Sequence, residues 1–284
     1  MEIIKKIEKI FFVMLCLMVM TGCGEKADVT ETVTSATEEK IQELTEEETT
    51  EVTEEKITEV TETTEEMVEE SQKKGILVAL DPGHQGPSVD MSATEPNAPD
   101  SAVMKTKATG GTTGQYSGIP EYELNLDIAL MVRDALEEQG YDVIMTREDN
   151  ETAISNAERA TLANNAGADI SVRIHANGSE NSSANGALVL IGSQNNPYVG
   201  NLYEDSYRLG QTLLDTYCET TGMANLGIQI NDTMTGINWS QIPVVILEMG
   251  FMSNQQDDLN MADADYRQKM VEGIVQGINA YYGY

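Results

Sequence analysis

From Gly75 to Tyr284 the sequence predicts a single α/β domain, with a mainly parallel central sheet covered by helices on both faces. Three observations carry that expectation. Short runs such as Ile76-Leu77-Val78-Ala79-Leu80 and Pro243-Val244-Val245-Ile246-Leu247 are apolar along their whole length, as strands buried on both faces must be. These runs alternate with amphipathic segments of helical length. The segment is also about 210 residues long, which suits one domain with a full hydrophobic core.

Each element has its own local signal. The first strand stops at the turn residues Asp81-Pro82-Gly83. Glu121 to Gln139 reads as a helix, because Leu124, Ile128, Met131, Ala135 and Leu136 recur at helical spacing between the start signal Pro120 and the stop signal Gly140. Tyr141 to Met145 is the next strand and Ser155 to Asn165 a second helix. Ala168 to Ile174 is a strand that ends at His175-Ala176-Asn177. Gly186 to Ile191 is a further strand, followed by a helix over Tyr198 to Tyr217. Ile242 to Leu247 is the most hydrophobic strand and ends at Glu248; the last helix, Asp265 to Tyr281, buries Tyr266, Met270, Ile274, Ile278 and Tyr281. Between the first strand and the first helix, Pro87 to Ile119 is polar and glycine-rich. Connections of that length are usually either functional or disordered.

The chain ahead of this domain has a different composition. Lys5, Lys6 and Lys9 precede an apolar run from Ile10 to Met20 and then small residues, the order of a secretory signal peptide, here residues 1–22. The run is about a dozen residues, whereas a bilayer-spanning helix needs roughly 20. Met20-Thr21-Gly22-Cys23 resembles the lipobox of bacterial lipoproteins, which implies a lipidated Cys23 at the mature N-terminus, on the outer face of the cell membrane. Residues 23–74 are dominated by Thr and Glu and lack the apolar surface to offset ordering entropy, so they are expected to form a disordered tether. At ~5–6 Å times the square root of its length, such a tether spans about 40 Å.

Much of the net charge of −31 sits in this tether. It argues against a nucleic-acid partner, because phosphate binding is led by Lys and Arg. With Cys16 in the signal segment and Cys23 lipidated, Cys218 stands alone, so no intrachain disulfide holds the domain. A monomer is the simplest expectation for the domain.

The domain has two histidines, His84 and His175, and each falls just past a predicted strand, as does Glu248. In open α/β sheets ligands bind at the carboxyl ends of the strands. Two imidazoles and a carboxylate can bind a catalytic zinc and leave a fourth position for water. Glu121 is a candidate third ligand, since it heads the inward face of its helix, in line with Leu124 and Ile128. Each residue also has a plainer reading. A strand-end histidine is often a hydrogen-bonded structural residue, Glu121 suits a helix N-terminus, and Glu248 has Arg147 or Arg173 as available partners.

Four local sequences together narrow this choice. Leu80-Asp81-Pro82-Gly83-His84-Gln85-Gly86, Glu121-Tyr122-Glu123-Leu124-Asn125-Leu126, Ile174-His175-Ala176-Asn177 and Glu248-Met249-Gly250-Phe251-Met252-Ser253-Asn254 occur in the order of the zinc-dependent N-acetylmuramoyl-L-alanine amidases of the type-three family, which the chain resembles. The smaller matches Thr146-Arg147, Glu158-Arg159-Ala160 and Ala163-Asn164 lie between them. The resemblance implies a zinc held by His84, Glu121 and His175, Glu248 as catalytic acid/base, and peptidoglycan as substrate. The bond cleaved would join the lactyl group of N-acetylmuramic acid to the L-alanine of the stem peptide. Arg173 stands where the family commonly has a serine, and it either meets a substrate carboxylate or pairs with an acidic neighbour; Asn177 is a second candidate for substrate contact. Two other roles stay open from sequence alone: an inactive peptidoglycan-binding relative, and a zinc peptidase acting on the stem peptide.

Overall fold

A computed structural model describes residues 73–284. The signal segment, Cys23 and the Thr/Glu tether lie outside the described residues. In chain order the elements are β1 (Leu77–Pro82), a hairpin of β2 (Thr94–Pro96) and β3 (Met104–Thr106), α1 (Glu121–Glu138), β4 (Asp142–Met145), α2 (Asn156–Ala166), β5 (Ile170–Asn177) and β6 (Ala187–Ile191). There follow α3 (Tyr203–Thr221), β7 (Asn225–Ile230), α4 (Thr235–Asn238), β8 (Val244–Phe251), α5 (Gln255–Ala262) and α6 (Ala264–Tyr282).

Six strands form one sheet in the order β4-β1-β5-β8-β6-β7. The first four run parallel, β6 pairs antiparallel with β8, and β7 runs parallel to β6. The sheet is therefore mixed and mostly parallel, as the continuous apolar runs require.

The two faces are covered unequally. On one face Val78, Leu80, Val172, Ile174, Val245 and Leu247 pack against α1, α3 and α6 in one core. Removing such a fully buried side chain costs roughly 2–5 kcal/mol, so a change such as Ile174→Ala strikes the centre of the fold. The other face has thinner cover. Ala79 meets Ala163 of α2, while Val244 and Ile246 meet Ile237 of α4. This face carries Asp81, Arg173, His175 and Glu248 at the carboxyl ends of the strands, and the open space above them is the cleft.

Local chemistry sets the element ends. Ser155 caps α2 in a capping box with Glu158, and Gly167 ends it in a left-handed conformation. The sequence places α1, α2, α3 and α6 correctly to within a few residues. It ends β5 and β8 too early: β5 continues through Asn177 and β8 through Phe251, so His175 and Glu248 lie inside paired strands rather than just beyond them. Strand length there follows pairing with the neighbouring strand, which places His175 opposite Glu248. The stretch read as one long loop contains the β2–β3 hairpin, tied to α4 and its flank by Thr235 Oγ1 to Asn97 Oδ1 and Trp239 Nε1 to the Pro96 carbonyl. Among the described residues, no helix is long and apolar enough to cross a membrane.

Candidate metal centre

Past β1 the chain turns through Gly83 into His84, whose φ of 62° lies in the left-handed region that non-glycine residues seldom adopt. Two buried arginines fasten this turn. Arg147 donates to the carbonyls of Pro82 (2.9 Å) and Gly83 (2.9 Å), and Arg159 to those of Pro82 (2.7 Å) and His84 (2.7 Å). So held, His84 places Nε2 3.0 Å from Oε1 of Glu121, the first residue of α1. His175 on β5 brings Nδ1 to 3.2 Å from the same oxygen. The two rings meet edge to face with centroids 4.8 Å apart.

Glu121 is held from several sides. Its Oε2 accepts from the Thr112 N–H at 2.9 Å, and its Oε1 from the Ala176 N–H and, one helical turn on, from Asn125 Nδ2. Burial alone would raise its carboxyl, but hydrogen bonding and charge from His175 and His84 bring it well below the usual carboxylate range. Burial pushes His175 down to about 4, against the pull of Glu121, so this imidazole is neutral near pH 7.

The proton positions test whether these residues fit a cation. His84 Nδ1 faces the Thr109 carbonyl at 2.8 Å, and a carbonyl only accepts, so the ring proton of a neutral His84 sits on Nδ1. Its Nε2 then turns a bare lone pair towards an ionised carboxylate oxygen 3.0 Å away. Two acceptors facing each other without a hydrogen repel; a proton or a metal cation between them removes the conflict. The 3.0 and 3.2 Å separations also suit ligands that each lie about 2.0–2.1 Å from one tetrahedral ion. Thr109 is then the outer partner that fixes the tautomer and orientation of His84.

Glu248 completes the cleft. Its carboxylate accepts no hydrogen bond among the described residues and faces a cleft of about 770 Å³, with His84, Glu121 and His175 in the same wall. Burial, with the Glu121 charge next, pushes Glu248 up to about 8, against the pull of Arg173.

The sequence model of N-acetylmuramoyl-L-alanine amidases matches residues 78–280, spanning all of these side chains. The chain belongs to this amidase family. Among curated relatives, this amidase is 31% identical over 166 residues to the uncharacterized protein YqiI of Bacillus subtilis, covering 58% of the chain and 76% of the relative. It is 30% identical over 168 residues to the amidase LytC of the same organism, covering 58% of the chain but 32% of LytC. The amidase chain thus spans about a third of LytC's length. Among solved structures, the amidase Ami1 of Mycobacterium smegmatis superposes with a TM-score of 0.67 at 28% identity, covering 74% of this chain and 97% of Ami1.

The amidase brings together the four residues singled out from sequence, His84, Glu121, His175 and Glu248. Arg173 also lines the cleft, but its Nε is bound to Asp81 at 2.5 Å, so it pairs with a carboxylate and faces the substrate space at once. Asn177 lines the cleft too; its Oδ1 accepts from the Gly178 N–H. Neither Arg147 nor Arg173 forms an ion pair with Glu248 among the described residues. Sequence reasoning missed Asp81 as a buried anchor, 1 % exposed, that takes Arg159 on one oxygen and Arg173 on the other. Its signal was available: a lone carboxylate closing an apolar strand. Thr109 gave no such signal, because it sits in an irregular segment that only the fold brings to His84.

Proposed function

We propose that the amidase cleaves the amide between the lactyl group of N-acetylmuramic acid and the L-alanine of peptidoglycan stem peptides, with a zinc ion held by His84 Nε2, Glu121 Oε1 and His175 Nδ1. The observation that carries this reading is the convergence of His84 Nε2 and His175 Nδ1 on one buried carboxylate oxygen of Glu121, at 3.0 and 3.2 Å, with His84 Nδ1 tied to the Thr109 carbonyl. When bound, zinc polarises the scissile carbonyl and activates a water for attack.

The chain's own residues do the rest. Glu248 takes a proton from the attacking water and returns it to the amine nitrogen as the amide bond breaks. Its carboxylate, free of hydrogen bonds among the described residues and facing the cleft beside the metal-binding side chains, stands where it can accept that proton and give it back. Arg147 and Arg159 hold the backbone of His84, and Thr109 holds its ring, so the reacting geometry is set before substrate arrives. The four-residue set argues for an active enzyme rather than an inactive wall-binding relative, because neither the metal ligands nor the Glu248 carboxylate is missing.

Residues 1–22 act in this reading as a lipoprotein signal peptide, Cys23 carries the lipid, and residues 23–74 tether a catalytic domain of residues 75–284 to the outer face of the membrane. The tether places the domain within reach of a wall some tens of Å away.

Metal analysis of the full chain, coupled to digestion of purified peptidoglycan with and without a chelator, tests the catalytic reading. Near one zinc per chain and chelator-sensitive release of L-alanine amino termini with intact glycan are expected. Release of other stem-peptide termini assigns a peptidase, and neither zinc nor cleavage removes the enzyme reading. For the anchor, Cys23→Ala is expected to move the protein from the detergent phase to the aqueous phase on phase partitioning; unchanged partitioning refutes it.

A further inference from the structure

The cleft is uneven in charge. The protein as a whole carries a net charge of −31, yet Arg173 and Lys105 lie at the end of the cleft formed by the Thr233–Gly236 segment. Arg173 is held rigidly. Its Nε donates to Asp81 and its Nη2 to Asn156 Oδ1 at 2.7 Å, while Nη1 donates to no group among the described residues. The guanidinium lies directly on Gly236, where a side-chain Cβ would fall 1.5 Å from Nη1. Residue 236 must therefore be bare for Arg173 to lie as it does. Lys105, from β3, donates to the Thr233 carbonyl and keeps its other N–H bonds for a ligand.

Beneath the cleft floor, Asp81 is the one carboxylate ion-paired within a buried cluster of three guanidiniums among the described residues. Asp81 serves both Arg159 and Arg173, and the nearby Arg147 has no carboxylate partner among the described residues: it donates to carbonyls and to Asn150 Oδ1. Asp81 thus does not neutralise Arg173 alone. A planar guanidinium with one nitrogen free of hydrogen bonds among the described residues, in a cluster of three guanidiniums around one carboxylate, favours a carboxylate over a neutral amide.

Strand spacing points to the part of the substrate that meets Arg173. Arg173 lies two residues before His175 on the same face of β5, about 7 Å along the strand at ~3.3 Å per residue. An extended peptide advances ~3.3–3.6 Å per residue, so a group near the second residue beyond the scissile amide reaches Arg173. On the other side of that amide the lactyl carboxyl is consumed in the bond, and the sugar offers hydroxyl and acetamido groups. The opposite part of the cleft suits those, since Gln115, Asn177, Ser179 and Ser253 line it.

We propose that Arg173 and Lys105 form a carboxylate subsite that reads a free carboxylate at the second residue of the stem peptide and discriminates against its amide. The peptide would then lie over the Arg173 end of the cleft and the glycan over the Asn177 end. This inference rests on the amidase reading above.

The test compares N-acetylmuramoyl-L-alanyl-D-glutamate with its α-amide, N-acetylmuramoyl-L-alanyl-D-isoglutamine. Calorimetry would measure both on the full chain carrying Glu248→Gln and loaded with zinc, and wild-type kcat/KM would be measured for the same pair. The acid is expected to bind roughly tenfold or more tightly than the amide, with the ratio falling at high salt. Arg173→Gln and Lys105→Gln should each bring the ratio to about threefold or less. Lys105 lies on a hairpin outside the buried cluster, so its variant tests the subsite even where Arg173→Gln unfolds. Equal affinity for acid and amide, or a ratio unchanged in Lys105→Gln, overturns the proposal. Cleavage of both compounds at equal kcat/KM removes the subsite and keeps the amidase; preferential binding of the acid with no cleavage by the wild type keeps the subsite and removes the amidase.

Discussion

Gly83→Ala should cost the amidase its zinc. A Cβ at position 83 would stand 2.1 Å from Cε1, 2.3 Å from Nε2 and 2.5 Å from Nδ1 of His175, where even tight contacts stay beyond 3.0 Å. The ring would have to retreat by roughly 1 Å, yet a zinc ligand tolerates only about ±0.2 Å. Retreat is blocked on the ligand side, because Nδ1 already lies 3.2 Å from Glu121 Oε1. Gly83 is not in the left-handed region, so alanine adds no backbone strain there and the clash with His175 is the main perturbation. Loss of an outer-shell partner alone weakens metal binding by ~10–100-fold, and displacing a ligand should exceed that, so a fall of roughly 100-fold or more is expected. Competition with a chromophoric zinc chelator measures it, with chelator-treated protein melted in parallel to show that the variant still folds. A folded variant that holds zinc within threefold of the parent would refute His175 as a ligand.

Three further outcomes follow from the same geometry. Glu248→Gln should keep one zinc per chain while turnover of muramoyl-peptide falls by roughly 10²–10⁴-fold; full activity would take Glu248 out of the proton transfer. Asp81→Asn leaves Arg159 and Arg173 buried without their shared carboxylate and should cost about 3–5 kcal/mol, read from urea midpoints, with a loss under 1 kcal/mol counting against the cluster as an anchor. The pH dependence follows from the same residue: burial opposes its charge, but Arg173, Arg159 and Thr146 together hold its carboxyl far below the ordinary 3.8. A depressed carboxyl contributes stability above its unfolded value and loses that contribution as pH falls through the acid range. The gap between parent and Asp81→Asn should therefore be full at pH 7 and narrow below about pH 4, and a gap that widens in acid would reverse the assignment.

What was legible in the sequence, and what was not, divides along a physical line. The buried strands and long helices were legible because burial imposes a period, and Leu124, Ile128 and Leu136 display it without reference to any other part of the chain. His84, His175 and Glu248 at strand ends and Glu121 at the head of an inward helix face each had a plainer reading as well, and what made them legible was the four local motifs occurring together in the family's order. The extent of β5 and β8 was not, since pairing between strands carries His175 and Glu248 into register and no local signal reports it. The hairpin of residues 94–106 stayed hidden for a related reason: its strands are three residues each, too short for alternation to show, and they are held by contacts to Thr235 and Trp239 far along the chain.

The buried arginines show most clearly why a ligand list falls short of a site. Each would pass for a surface residue in sequence, and the apolar periodicity of α2 gives no reason to bury Arg159 at 2 % exposure. In the fold, Arg147 and Arg159 satisfy the carbonyls of Pro82, Gly83 and His84, groups that a tight left-handed turn cannot return to any strand or helix. Asp81, one residue before that turn, is the counterion of Arg159, while Arg147 donates to carbonyls and to Asn150 Oδ1. Asp81, the turn and His84 are thus consecutive in the chain, while the guanidiniums that hold them come from residues 147 and 159. A conservative change to lysine at either position keeps the charge and loses the forked donors, so His84 would be loosened even though no zinc ligand has changed.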